Sequence, residues 1–280
     1  MDIGIDSNNI LARIVERRRE AIAHRKRVLP VVALKIAVEK KAPPVRDFPA
    51  SLTHSGFNVI AELKKASPSG GLLRADYQPA IMAPMLEAAG AAAISVLTEE
   101  DFFQGSLRDL KEVSKATKIP ILRKDFIVDP WQIWETRAAG ADSFLLIAAI
   151  MNDRSLRELL ALGRQLKMEP LVEVHSRNEL QRAQDADAKI IGVNNRDLKT
   201  FDVRLETSLE LVSEIPEECI AVSESGIRTH EDLTRLRAAG FDAFLIGEHL
   251  MTMSEPSLGL RELLGTSAAA VSSMNTGVPK

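Results

Sequence analysis

The sequence predicts an α/β fold, a (β/α)8 barrel of the TIM type, with an N-terminal helical extension. The tripeptide Ala-Ala-Gly ends a helical pattern at residues 88–90, 138–140 and 238–240, and an apolar, strand-like run follows each copy. Glycine takes the left-handed conformation of a helix C-cap without steric cost. The three glycines lie 50 and 100 residues apart, and both distances are multiples of about 25, the length of one strand–helix unit with its loops.

The N-terminal extension, residues 1–50, precedes the repeat. Apolar residues at positions 10, 11, 14, 15, 21 and 22 fall on one side of a helix. Pro30 and the pair Pro43-Pro44 interrupt the segment, which predicts one or two short helices. We interpret the basic residues at 17–19 and 25–27 as a solvated helix face and not as an RNA-binding patch, because no aromatic residues are interleaved with them.

The barrel is predicted over residues 51–265, with eight strands. Their predicted bounds are 59–63, 93–97, 119–122, 143–147, 170–174, 189–193, 219–223 and 243–246, and amphipathic stretches such as 153–166 and 230–239 lie between them. Eight consecutive units rich in Val, Ile and Leu favour a closed barrel over an open doubly wound sheet. No Gly-x-Gly-x-x-Gly fingerprint follows any of these strands.

Composition excludes several classes of function. The 36 Lys and Arg residues against 39 Asp and Glu residues give a net charge of −3, so we expect no nucleic-acid or membrane partner. A single cysteine, Cys219, cannot form an intramolecular disulfide, and the five histidines lack metal-ligand spacing. Asp2 and Asp6 argue against a secretory signal. We therefore expect a cytoplasmic protein without a metal site, which ends in a small, polar and disordered tail over residues 266–280.

The active site of such a barrel lies at the C-terminal ends of its strands. Polar residues leave six of the eight predicted strands there, among them Glu62, Lys64, Lys124, Glu173, Asn194 and Arg196. Lysines and carboxylates are costly to hold together at a partly dry mouth, so we interpret them as a reactive centre and not only as salt bridges that close the barrel. A Lys and a Glu with pKa values shifted toward neutrality would form an acid–base pair.

The ends of the last two strands predict a phosphate site. Ser225-Gly226 follows the seventh strand and Gly247-Glu248 follows the eighth. Barrels of this type commonly bind phosphate at these loops, through backbone N–H groups and the N-terminus of a short extra helix.

Seven motifs, in order along residues 8–255, resemble the indole-3-glycerol phosphate synthase family. They are IAELKKASPS at 60–69, VLTE with FQGS between 96 and 106, ILRKDFI at 121–127, LVEVH at 171–175, GVNNRDL at 192–198, SESGI at 223–227 and FLIGE at 244–248. The resemblance implies a lyase of tryptophan biosynthesis that uses no metal or cofactor. Its reaction closes the ring of 1-(2-carboxyphenylamino)-1-deoxyribulose 5-phosphate, with loss of carbon dioxide and water, to give indole-3-glycerol phosphate.

The resemblance also implies roles for individual residues. Lys124 matches the general acid, Glu173 the residue that stabilises the cationic intermediate and removes a proton, and Lys64 the lysine that binds the substrate carboxylate. Which lysine acts in which step stays open. The remaining residues match a lysine-holding carboxylate (Glu62), groups that orient the intermediate (Asn194, Ser225), a contact to the charged substrate (Arg196) and the phosphate cradle (Ser67, Gly226, Gly247, Glu248).

Aromatic residues are sparse, but a third of the twelve follow the second and third strands: Phe102, Phe103, Phe126 and Trp131. We expect them to hold the aromatic ring of a small phosphorylated substrate. The alternatives are another phosphosugar isomerase, a Schiff-base aldolase that uses Lys124 as nucleophile, or an RNA-binding protein. We expect a monomer or a weak homo-oligomer.

Overall fold

The computed structural model describes residues 10–197 and 200–266. Residues 267–280 of the predicted tail lie outside these residues, as do Asp2 and Asp6, so the disordered tail stays a prediction. Within the described part of the chain, no helix combines the length and the apolar character needed to cross a bilayer.

Eight parallel strands form a closed barrel, as the sequence predicts. They are β1 (Asn58–Leu63), β2 (Ala93–Leu97), β3 (Ile121–Lys124), β4 (Ser143–Ile147), β5 (Leu171–Val174), β6 (Ile190–Asn194), β7 (Ile220–Glu224) and β8 (Ala243–Ile246). Each strand pairs with its neighbour in sequence, and β8 pairs with β1 to close the barrel. A separate antiparallel pair, Ala66–Ser67 with Gly71–Leu72, follows β1.

The third strand begins later than predicted. The carbonyl of Pro120 accepts a hydrogen bond from the Ile94 N–H (2.9 Å), but proline has no N–H to donate in return. The strand therefore runs over Ile121–Lys124, and Lys124 pairs with Leu97 as its last residue. This shift makes Lys124 part of the rigid barrel and not of the loop behind it.

Helices cover the outside of the barrel. They are α1 (Ile10–Val28), α2 (Val31–Lys41), α3 (Phe48–Ser51), α4 (Pro79–Ala88), α5 (Leu107–Ala116), α6 (Pro130–Ala139), α7 (Asp153–Gln165), α8 (Arg177–Asp185), α9 (Glu206–Leu211), α10 (His230–Ala239), α11 (Glu248–Thr252) and α12 (Pro256–Leu263), with 3-10 turns at Ala148–Ile150 and Val212–Glu214. Gly140 and Gly240 cap α6 and α10 with φ of 90° and 116°. The glycine periodicity was therefore a correct guide to where these helices end.

The N-terminal extension forms two helices, α1 and α2, but the interpretation of its basic residues as a solvated face is wrong in part. The Arg18 side chain is 3% exposed and pairs with Asp125. Arg25 donates to Glu135 (2.5 Å) and Lys26 binds Asp129 (2.8 Å). Their acidic partners lie about a hundred positions away in the sequence, between β3 and the middle of α6. The basic residues therefore fasten α1 to the barrel.

Candidate active site

A cavity of about 390 Å³ opens at the C-terminal ends of the barrel strands. All twelve residues predicted for the site line it: Glu62, Lys64, Ser67, Lys124, Phe126, Glu173, Asn194, Arg196, Ser225, Gly226, Gly247 and Glu248. The strands bring together side chains that lie up to 186 positions apart (248 − 62) in the sequence. The predicted location of the site is where the structure has its cavity.

Lys124, the last residue of β3, lines the floor of the cavity at the barrel mouth. Its Nζ donates to Oε2 of Glu173 on β5 and to Oε2 of Glu224 on β7, each at 2.7 Å. The carboxylate side chains are 3% and 1% exposed, and that of Lys124 is 13% exposed. Three alternate strands thus hold one ammonium group between two buried carboxylates, in charge-assisted hydrogen bonds.

The expected shift of a Lys–Glu pair toward neutrality is wrong for Lys124 and Glu173. Burial alone would lower the pKa of Lys124, but the charges of Glu173, Glu224 and Glu62 outweigh it and raise that pKa. Burial would raise the pKa of Glu173, but Lys124 and His175 hold it well below its usual range. Glu224 behaves differently, because burial and the neighbouring charge of Glu173 raise its pKa to about 7 in spite of Lys124. Glu224 is the carboxyl group poised near neutrality.

Two glycines make room for the carboxylates inside the barrel. A Cβ atom on Gly192 of β6 would overlap Oε1 of Glu224, and one on Gly247 would overlap Oε2 of Glu62. Glu62 in turn forms an ion pair with Lys64 at 2.8 Å. These close approaches require residues without side chains at both positions.

Arg196 joins three loops across the rim of the cavity. Its Nη2 donates to Oε2 of Glu248 (2.8 Å) and its Nη1 to Oγ of Ser69 (3.2 Å). Its backbone N–H donates to Oδ1 of Asn194 (3.0 Å). The loops after β1, β6 and β8 are therefore connected through one guanidinium group.

The predicted phosphate corner has strained backbone. Ser225 and Gly226 are both in the left-handed region, with φ of 68° and 81°. A serine with positive φ is uncommon, and such strain concentrates at functional sites. The predicted short helix after the eighth strand is α11, which begins at Glu248 directly after Gly247. Ser67 fixes the turn after β1, since its Oγ accepts the Gly70 N–H at 3.0 Å.

Of the four aromatic residues predicted for a ring pocket, two line the cavity. They are Phe103 and Phe126, whose ring centroids lie 6.0 Å apart. Trp131 is instead packed against Ile22 and Leu34 of the extension, and its indole N–H donates to the Leu29 carbonyl (2.9 Å). Phe102 is half-buried and does not line the cavity. The assignment of Trp131 and Phe102 to the pocket is therefore wrong.

Comparison with known proteins decides the family. The family model described as "Indole-3-glycerol phosphate synthase" matches residues 11–263. The chain belongs to the indole-3-glycerol phosphate synthase family. Curated indole-3-glycerol phosphate synthases are similar to it: that of Acidithiobacillus ferrooxidans is 46% identical over 91% of this chain and 98% of the relative, and that of Koribacter versatilis is 54% identical over 75% and 81%.

Solved structures support the barrel fold. The N-acetylmannosamine-6-phosphate 2-epimerase from Clostridium perfringens matches with a TM-score of 0.57 at 16% identity, over 75% of this chain and 93% of that one. A thiamine phosphate pyrophosphorylase from Pyrococcus furiosus matches with a TM-score of 0.56 at 14% identity, over 78% and 97%. These likenesses concern the fold alone.

Membership of the indole-3-glycerol phosphate synthase family confirms the resemblance drawn from the seven motifs, and with it the enzyme class, a decarboxylating lyase of tryptophan biosynthesis. It favours this enzyme over another phosphosugar isomerase or a Schiff-base aldolase.

Sequence reasoning missed two parts of the site. Glu224 directly follows the predicted seventh strand, but it was not among the predicted site residues. Ile10, Leu11 and Ile14 of α1 also line the cavity. Their apolar periodicity was visible, but nothing local in the sequence indicated that this face of α1 would lie over the barrel mouth.

Proposed function

We propose that this chain closes the indole ring of 1-(2-carboxyphenylamino)-1-deoxyribulose 5-phosphate, with Lys124 as the general acid of the ring-closing step. The observation that carries this assignment is the position of Lys124 on the floor of the cavity between Glu173 and Glu224. An ammonium group has three N–H donors. Two donate to the carboxylates, and the third can donate to the ketone oxygen of the substrate.

In the first step, the ring carbon that bears the carboxylate bonds to the ketone carbon, and Lys124 transfers a proton to the ketone oxygen. The positive charge that develops on the anilino nitrogen is stabilised by Glu173, whose low pKa keeps it ionised. Loss of carbon dioxide returns the bonding electrons to the ring. Lys64 then protonates the new hydroxyl group, which departs as water. The carbon between this position and the nitrogen loses a proton to Glu173, and the indole double bond forms.

Substrate binding uses three kinds of contact. Lys64, held by Glu62, binds the carboxylate that is later lost, and Arg196 contacts the charged substrate near it. Phe103 and Phe126 pack against the anilino ring. Ser67 and the backbone N–H groups of Gly226, Gly247 and Glu248 bind the phosphate, while Asn194 and Ser225 orient the intermediate. The presence of these residues in the lining of one cavity and the positive φ of Ser225 support this division.

Turnover of the carboxyphenylamino-deoxyribulose phosphate tests the proposal directly. We expect the purified protein to produce indole fluorescence, Lys124→Met to abolish product formation while the protein still binds substrate, and Lys111→Met on the exposed face of α5 to leave turnover unchanged. Near-normal turnover by Lys124→Met would refute the role of Lys124. Borohydride trapping of substrate on Lys124 would point instead to Schiff-base chemistry.

We further propose that the enzyme acts in the cytoplasm as a monomer or a weak homo-oligomer, without metal or cofactor. The single cysteine, which allows no intramolecular disulfide, supports a reducing compartment such as the cytoplasm. Sedimentation velocity over a range of protein concentrations tests the oligomeric state, and a stable dimer at all concentrations would contradict it.

A further inference from the structure

A histidine lies behind the cavity, in contact with the outer oxygen of Glu173. Nε2 of His175 is 3.3 Å from Oε1 of Glu173, while Oε2 of the same carboxylate binds Lys124 at 2.7 Å. Each oxygen of Glu173 therefore faces a different cationic group. His175 does not line the cavity, so its effect on the reaction passes through Glu173.

The second ring nitrogen of His175 faces another carboxylate. Nδ1 is 3.3 Å from Oε2 of Glu179, and the same oxygen accepts the backbone N–H of His175 at 2.8 Å. Glu179 lies in the first turn of α8, directly after β5. The ring of His175 is thus held between the carboxylates of Glu173 and Glu179. The side chain of His175 is 13% exposed and that of Glu179 is 19% exposed.

Carboxylates accept hydrogen bonds and do not donate them when ionised. Nε2 lies at an ion-pair distance from Glu173 without hydrogen-bond geometry, whereas Nδ1 is within hydrogen-bond distance of Glu179. This arrangement favours the imidazolium, because either neutral tautomer would turn the lone pair of one ring nitrogen toward a carboxylate. We propose that His175, held as an imidazolium by Glu179, is a positioning residue that fixes Glu173 in its ionised form and turns Oε2 toward Lys124. This inference rests on the proposed role of Glu173.

The electrostatic environment agrees with this geometry. Burial alone would lower the pKa of His175, but its contacts with Glu173 and Glu179 outweigh burial and raise that pKa to about 10. Within residues 10–197 and 200–266, the charged groups in contact with the ring are Glu173 from β5 and Glu179 from α8, and Lys124 contacts the other oxygen of Glu173. The positive charge of His175 therefore persists across the neutral range.

Glu179 could instead serve only to stabilise the start of α8, because its carboxylate accepts the His175 N–H much as a helix-capping side chain does. Glu179→Gln separates the two readings. The glutamine carbonyl still accepts the backbone N–H, but the charge that keeps the ring protonated is lost. The matched control is Asp185→Asn, which removes one negative charge from the exposed C-terminal end of the same helix.

The first measurement is independent of activity: an NMR titration of the His175 ring, assigned by comparison with His175→Asn. We expect the wild-type ring to stay protonated beyond pH 8, Glu179→Gln to lower its pKa by about one unit or more, and Asp185→Asn to leave it in place. This magnitude corresponds to losing one of the two carboxylate contacts that favour the protonated ring, since one pKa unit is about 1.4 kcal/mol. A wild-type ring that loses its proton below pH 7 would overturn the proposal, whatever the enzyme's substrate.

The second measurement is the pH profile of kcat/KM with the carboxyphenylamino-deoxyribulose phosphate. We expect the alkaline limb to move to lower pH in Glu179→Gln, and kcat to fall by about tenfold to 100-fold in His175→Asn with a smaller change in KM, because Glu173 is misplaced. The positioning role would be overturned if the alkaline limb of Glu179→Gln did not shift. It would also be overturned if the kcat losses disappeared when activity is expressed per mole of folded protein. Absence of turnover in the wild type would refute the proposed function instead, and the NMR result would still stand.

Discussion

Replacing Arg18 with methionine tests whether the buried ion pair of Arg18 with Asp125 fastens the N-terminal extension to the barrel. The Arg18 and Asp125 side chains are 3% and 0% exposed, so their ion pair is shielded from solvent. Asp125 also accepts hydrogen bonds from Thr98 (2.5 Å) and from Nη2 of Arg123 (2.9 Å). These partners remain when Arg18 is removed, so Asp125 is not left as an uncompensated buried charge.

The number of partners that Asp125 keeps sets the expected loss of unfolding free energy in Arg18→Met. Leaving a buried charge unpaired costs about 3–5 kcal/mol, whereas losing one of several hydrogen bonds to a charged group costs about 1.5–3 kcal/mol. We expect the lower range for Arg18→Met. Methionine keeps a similar length and helix propensity, so α1 itself is little affected.

The neighbouring residue supplies the control. Arg17 forms ion pairs with Asp101 (3.0 Å) and Glu20 (3.3 Å), but its side chain is 58% exposed. Such a pair contributes about 0–1 kcal/mol. The assay is the free energy of unfolding in urea, followed by circular dichroism, for the wild type, Arg17→Met and Arg18→Met. A loss below about 0.5 kcal/mol for Arg18→Met, or equal losses for both variants, would refute the reasoning.

Three further outcomes follow from the site. The folded-state pKa of Glu224 is raised from 4.5 to about 7, so its contribution to stability is present below pH 4.5 and is lost as the pH rises to about 7. The wild type should therefore lose stability relative to Glu224→Gln between pH 5 and pH 8, as measured by the urea midpoints of unfolding. A stability difference that stays constant over this pH range would contradict the shift. Gly192→Ala should lower kcat by at least about tenfold, because its Cβ displaces Glu224, and unchanged kcat in steady-state kinetics would show that the carboxylate moves freely. Phe126→Ala should raise KM for the aromatic substrate, whereas Trp131→Ala should cost about 3–5 kcal/mol of unfolding free energy with little change in KM, and the reverse pattern would place the ring pocket elsewhere.

The features that local chemistry determines could be predicted from the sequence. Gly140 and Gly240 end their helices in the left-handed conformation, which glycine adopts without steric cost. The helix end can therefore be predicted from the glycine alone. Polar residues at strand ends predicted the site, because parallel strands in a barrel place their C-terminal ends at one rim. The position of Lys124 was predicted for this reason.

Properties that depend on pairing across the fold could not be predicted in the same way. The direction of the pKa shift of Lys124 depends on having two buried carboxylates within 2.7 Å, and only one of them had been assigned to the site. Arg18 reads as a surface residue in its own helix, because its partner Asp125 is 107 positions away. Trp131 was predicted to lie in the substrate pocket because it follows the third strand, but it packs against Ile22 and Leu34 of the extension.

The segment Arg123-Lys124-Asp125 supplies the lysine of the cavity and also anchors the N-terminal extension to the barrel. Successive residues of a strand point to opposite faces, so Lys124 enters the barrel and meets Glu173 and Glu224, while Arg123 points outward to α6. Asp125, the first residue after β3, contacts Arg18 of α1. Arg123, fully buried, binds Asp125 and Glu135 (2.9 and 3.0 Å), and Asp125 binds Arg18 of α1. The extension is therefore anchored directly behind the lysine proposed as general acid. A substitution at Arg123 or Asp125 that loosens this anchor should disturb the position of Lys124 on the cavity floor as well as the extension, although neither side chain contacts Glu173 or Glu224.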